Sequence, residues 1–185
     1  MNDVEFIAAA LPEVILVAPR VFADERGFFM ETWHTDRFTA AGITGPFVQD
    51  NHSHSRRHVL RGLHFQIERS QGKLVSVVRG AVFDVAVDLR RSSPRFGQWC
   101  STELNDRNHH MLWVPPGFAH GFLTLSDEAD VVYKCTEYYA PQFERSLRWN
   151  DPAVAIAWPL PAGVAPVLSG KDADAPLLVD AGTFP

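Results

Sequence analysis

Short apolar runs separated by turn residues recur along the chain, the pattern of strands rather than helices. Residues 14–17 form one run and residues 28–33 another. Residues 74–78 lead into Arg79-Gly80, a tight-turn signal, and residues 81–89 read as the returning strand. The pattern continues at Trp113-Val114, at 122–125 and at 131–139. One helix is predicted over residues 36–41, with Thr35 as its cap and Gly42 as its end. Many strands punctuated by Gly and Pro predict an all-β sandwich or barrel with little helix. From about Pro159 the chain is rich in Pro, Ala and Gly and is predicted to be irregular. That stretch nevertheless carries the polar sequence Ser169-Gly170-Lys171-Asp172.

The strand at 81–89 has two unlike faces, because side chains alternate along a strand. Phe83, Val85, Val87 and Leu89 share one, and Val82, Asp84, Ala86 and Asp88 the other. Small and acidic residues suit either a cavity wall or a solvent-facing side. Asp84 is left between the two, and Asp88, near the strand end, is expected to face solvent.

Length and composition narrow the class. The 185 residues suit one domain, 1–185, in which the segment from about Pro159 is an irregular extension contributing to the site. A net charge of −5 argues against binding nucleic acid through a basic surface, so an anionic ligand must be met by local Arg and Lys. Cys100 and Cys135 are read as small buried hydrophobes, not a disulfide framework. The N-terminus lacks the pattern of a signal peptide, and no stretch reaches the length of a membrane span. A cytoplasmic protein with no membrane partner is expected.

Histidines cluster at His52, His54, His58 and His64, and again at His109, His110 and His120. Pro115-Pro116-Gly117-Phe118-Ala119-His120 has the form P-x-G-x-x-H and resembles the second metal motif of cupins. Where the first cupin motif would offer H-x-H and a following Glu, this chain has His64-Phe65-Gln66 and no Glu at that spacing. Two histidines fall short of the three or four ligands a first-row metal takes. His52 and His54 sit among Ser, Asn and Arg and read as a polar loop. No metal and no cofactor is expected.

Eight segments, in order along the chain, carry a more specific resemblance. They are residues 24–31, 47–51 (Phe-Val-Gln-Asp-Asn), 59–66 (Val-Leu-Arg-Gly-Leu-His-Phe-Gln), Gln71-Gly72-Lys73, 117–122, Tyr133-Lys134, Trp149-Asn150-Asp151-Pro152 and 168–172. Together they resemble the dTDP-4-dehydrorhamnose 3,5-epimerase family. Met30, where an aromatic residue is expected, and a short 66–71 loop are the departures.

The resemblance implies a cupin-like jelly-roll β-barrel with short peripheral helices and an isomerase acting on a dTDP-linked 4-keto-6-deoxyhexose. Protons at C3 and C5 flank the C4 ketone and are acidic. Inversion needs a base on one face, an acid on the other and a stabilised enolate between them. By resemblance His64 is the base, Asp172 its orienting partner, Tyr133 the acid and Lys73 the cation at the enolate oxygen. His120 would hydrogen-bond the sugar. Arg26, Arg61 and Lys171 would meet the diphosphate, for which forked guanidinium donors are well suited. Glu31, Gln49, Asp50, Asn51 and Glu144 match polar substrate-contacting positions, and Phe28 or Tyr139 could stack on thymine. A homodimer with a crossing N-terminal segment is also implied. The motifs do not separate a 3,5-epimerase from a 3- or 5-mono-epimerase. A metal-dependent cupin is disfavoured by Gln66, and a non-catalytic sugar-binding barrel by the joint presence of His64, Lys73 and Tyr133.

Overall fold

The computed structural model describes residues 4–185. Thirteen strands run in the order β1 (Val4–Ala8), β2 (Ile15–Pro19), β3 (Val21–Asp24), β4 (Gly27–Met30), β5 (Gln49–Arg56), β6 (Leu60–Gln66), β7 (Lys73–Arg79), β8 (Ala81–Asp88), β9 (Trp99–Asn105), β10 (Met111–Val114), β11 (Phe118–Thr124), β12 (Glu128–Cys135) and β13 (Glu144–Ser146). Two short helices, α1 (Thr35–Ala40) and α2 (Gly170–Ala173), lie outside them. One sheet has the order β1-β2-β10-β7-β12-β5 and the facing sheet β13-β6-β11-β8-β9, while β3 and β4 form a separate hairpin. All these pairings are antiparallel. The result is an all-β, cupin-like jelly-roll barrel.

Burial follows the alternation along each strand. Val75, Val77, Val82, Ala86, Leu104, Val114, Phe118 and Val131 fill the space between the sheets. The opposite face of β8 is also covered: Val85, Val87 and Leu89 pack under Leu147, Val154 and Ala181, with Trp158 and Phe184 against them. A third cluster joins Val17, Leu74, Met111 and Trp113 to Phe38 of α1 and to Ile43. The C-terminal segment is therefore a lid on the β6-β11-β8 face, stitched on by a parallel bridge between Val59 and Val167 and another between Arg90 and Phe184.

Several expectations are corrected. Asp88 does not face solvent: it is fully buried and takes hydrogen bonds from Arg90 and Ser93. It lies on the inward face with Asp84, so its neighbours must satisfy its charge. The residues around His52 and His54 are a strand, β5, and not a loop; both imidazoles meet Asp130 of β12 at 3.0 and 3.2 Å. Thr35 does not cap α1, since His34 holds that position and Thr35 Oγ1 accepts instead from Trp33 Nε1. The apolar run at 28–33 yields a strand only to Met30. Both cysteines are free and buried. Residues 1–3 of the expected crossing segment lie outside the described residues, and β1 pairs with β2 of its own chain.

Candidate active site

Antiparallel pairing of β6 with β11 sets His64 opposite His120. The register breaks immediately afterwards, between His120 and Phe122. Two glycines permit the approach. A Cβ on Gly62 would lie 2.6 Å from Gly121 Cα, and one on Gly121 would lie 2.7 Å from Arg61 O. Gly62 also has φ +125°, a conformation open to glycine and strained for other residues. Leu63 and Phe65 then point outward into the core under the C-terminal segment, which turns His64 and Gln66 inward.

A cavity of about 310 Å³ lies between the sheets. Gln49, Asn51 and Ser53 of β5, Arg61, His64 and Gln66 of β6, Lys73 of β7, His120 of β11 and Tyr133 of β12 line it, with Tyr139 and Glu144. His64 Nε2 is 2.5 Å from Asp172 Oδ1, leaving Nδ1 for a ligand. Asp172 is buried on α2, and burial opposes its ionisation. The hydrogen bonds from His64 and Ser169 outweigh that and hold its carboxyl below the usual range. Across β11, His120 Nε2 lies 2.9 Å from the buried Asp84 Oδ1, a second imidazole–carboxylate pair. Asp84 is therefore neither solvent-facing nor itself a lining residue of the cavity: it is fully buried and reaches the cavity only through His120.

Lys73 opens β7 and is buried. Its ammonium makes no ion pair or hydrogen bond among the described residues. Burial lowers its pKa, and Cys135, Glu144 and Asp84 only partly offset this. Tyr133 stands on the adjacent strand, and burial raises its phenol. An imidazole on one sheet, paired with the Asp172 carboxylate of α2, thus faces a phenol and an unpaired ammonium on the other.

Other side chains form the rim. Arg61 donates to Ser55 Oγ at 2.9 Å and to His54 O at 3.0 Å. Gln49 donates to Asn51, and Asn51 to Cys135 Sγ. Tyr139 donates to Glu144 Oε2 at 2.8 Å, and Lys171 pairs with the other oxygen of Glu144. Burial opposes ionisation of Glu144, but its bonds to Lys171 and Tyr139 keep its carboxyl low. The structure does not bring Arg26, Glu31 or Asp50 to this pocket. Arg26 is exposed and held by Asp24, Glu31 pairs with Arg37, and Asp50 pairs with Lys134 on the outer face of the sheet. Phe28 is likewise remote, exposed on the β3–β4 hairpin and stacked on His109.

Sequence reading missed three features. Gln66, in the place of a cupin metal histidine, anchors the pocket mouth: it donates to Arg69 O and Tyr138 O and accepts from Ala140 N. The Asp84–His120 pair joins residues 36 positions apart. Ser53 presents a buried hydroxyl with no partner to the cavity. An inward acid on β8 was a signal for the second of these, while the others depend on pairings only the fold reveals.

Known proteins match this chain closely. The family model for dTDP-4-dehydrorhamnose 3,5-epimerase matches residues 8–180. The dTDP-4-dehydrorhamnose 3,5-epimerase of Pseudomonas aeruginosa is 54% identical over 177 residues, covering 95% of this chain and 97% of that protein. That of Neisseria gonorrhoeae is 56% identical over 168 residues, covering 91% of this chain, which spans only 51% of that relative's length. A crystal structure of the Legionella pneumophila dTDP-6-deoxy-D-glucose-3,5-epimerase in complex with dTDP-4-keto-L-rhamnose superposes with a TM-score of 0.91, at 50% identity, covering 95% of this chain and 93% of that one. The chain belongs to the dTDP-4-dehydrorhamnose 3,5-epimerase family.

Proposed function

We propose that this chain is an isomerase that inverts C3 and C5 of dTDP-4-dehydro-6-deoxy-D-glucose to give dTDP-4-dehydro-L-rhamnose. The observation that carries the reading is the facing arrangement of the His64–Asp172 dyad and the Tyr133–Lys73 pair across one cavity. His64 takes the proton from the carbon beside the C4 ketone. Electron density moves to the ketone oxygen, where the Lys73 ammonium stabilises the enolate. Tyr133 returns a proton from the opposite face. Asp172 fixes the imidazole and stabilises its protonated form. His120, held by Asp84, hydrogen-bonds the sugar.

Arg61 and Lys171 meet the diphosphate, Gln49, Asn51 and Glu144 the rest of the nucleotide, and Tyr139 stacks on thymine. Arg26, Glu31 and Asp50 are also assigned to nucleotide contact. From outside the pocket of their own protomer, Arg26 and Glu31 would reach it across a homodimer. The chain acts as one domain, in the cytoplasm; among the described residues no helix is long and apolar enough to cross a membrane.

The test is incubation with dTDP-4-dehydro-6-deoxy-D-glucose in deuterated water, with and without a chelator. Deuterium at C3 and C5 with inversion of both, unaffected by the chelator and lost in His64→Ala, is expected. Inversion at one carbon alone would reassign the chain as a mono-epimerase. Loss of activity on chelation, reversed by one divalent ion, would overturn the metal-free reading.

A further inference from the structure

The carboxylate of Asp172 has a different side-chain partner at each oxygen, and the Gly62 backbone N–H also donates to it. Oδ1 meets His64 at 2.5 Å. Oδ2 accepts a hydrogen bond from Ser169 Oγ at 2.8 Å, and the same hydroxyl accepts from the Asp172 backbone N–H at 3.2 Å. A carboxylate held at one oxygen only can rotate about χ2, whereas one held at both has its plane fixed. Ser169 is thus the third member of a chain running from solvent-side loop to imidazole. We propose that Ser169 is a positioning residue for the base, using its hydroxyl to lock the Asp172 carboxylate onto His64 Nε2.

The two functions of the hydroxyl are separable. As the first residue before α2 it caps a helix of only four residues. Glycine is tolerated at such a position almost as well as serine. Ser169→Gly therefore removes the donor to Oδ2 and largely spares the cap. The charged groups flanking the dyad, Glu144 and Lys171, pair with each other and not with the Ser169 hydroxyl. Losing a donor to a buried carboxylate makes the dyad hold its shared proton more tightly, so its titration moves to higher pH.

The inference rests on His64 being the base, and the experiment keeps the two ideas apart. Imidazole resonances of histidine-labelled protein are titrated by NMR without substrate, His64 being assigned by its absence in His64→Gln. Ser169→Ala and Ser169→Gly are both expected to raise the His64 midpoint, and Ser169→Thr to restore it. In parallel, kcat should fall roughly tenfold, the scale of one hydrogen bond to a charged group, with KM little changed. An unaltered His64 titration in both variants overturns the proposal, even if activity falls, because a cap alone would then explain the loss. A shifted titration in a protein that exchanges no C3 or C5 proton would sustain the positioning and sink the proposed reaction.

Discussion

Tyr133 and His64 approach the cavity from different sheets, and this separation makes exchange and inversion distinguishable. His64 alone can remove a proton and return a deuteron to the same face. Tyr133→Phe keeps the ring and its packing against the core but removes the donor. Deuterium uptake should persist while inversion, followed at C5 by NMR of the product, falls by about 10²–10⁴-fold, the usual contribution of a positioned general acid. Full inversion at the wild-type rate would mean another donor. Lys73 supports a prediction of the opposite sign for stability. Burial depresses its pKa, so the folded state carries its charge at a cost that lessens as pH rises from the lowered value toward the ordinary lysine range. Lys73→Met should abolish turnover and raise Tm at neutral pH, by roughly 2–4 °C for each kcal/mol recovered. A lower Tm would show that Lys73 is stabilised by its surroundings. His64, Lys73 and Tyr133 were singled out by resemblance, each inside a quoted segment, and the fold brings all three to one cavity. Asp172 was likewise singled out by resemblance, and nothing local could have paired it with a partner 108 residues away. Asp88 was misread because distance from a strand end does not reveal what covers it.

At the level of elements, the contact of β6 with β11 rests on two facing glycines. Gly121→Ala would put a methyl 2.7 Å from Arg61 O and force those strands apart. Destabilisation of about 1–3 kcal/mol is expected in urea unfolding, as for other overpacked sites, with a larger loss of activity because His64 and His120 lose register. Unchanged stability would mean that the strands yield freely. The Trp149-Asn150-Asp151-Pro152 motif finds its purpose at this scale. Buried Asp151 accepts from Ala153 N, Val154 N and Leu178 N, and Arg148 donates to Ala175 O. This clamps the segment just beyond Asp172. Asp151→Ala should speed amide exchange at Leu178 by at least tenfold and leave β8 and β11 protected, since each orphaned buried donor costs about 1–3 kcal/mol. Uniform exchange across the barrel would instead indicate global unfolding. The short apolar runs gave the positions of β2, β4, β7, β8, β10, β11 and β12, with shifted ends. Polar strands such as β5 lack the alternation of apolar residues and were not visible.

For the whole molecule, the outer face of the six-stranded sheet is the feature that monomer packing leaves unexplained. A cleft of about 460 Å³ there is lined by Phe28, Met30, Leu74, Val78, Met111 and Val132 among others. Phe28 and Phe29 of the nearby hairpin are 58% and 71% exposed. Exposed apolar surface of this kind marks interaction sites. Light scattering at micromolar concentration should give twice the chain mass, and Phe29→Asp with Val78→Asp should shift it toward one. A monomer in the unaltered protein would remove the proposed route by which Arg26 and Glu31 reach a pocket. The covering of β6 by the C-terminal segment has a further consequence, in the order of synthesis. His64 leaves the ribosome 108 residues before Asp172. A nascent chain that has completed β13 already owns every cavity-lining side chain named above, yet its base has no partner. Premature termination between residues 147 and 171 would therefore leave His64 without Asp172 and strip the apolar outer face of β6, β8 and β11 of its cover, so that the truncated products would be substrates for quality control rather than slow enzymes.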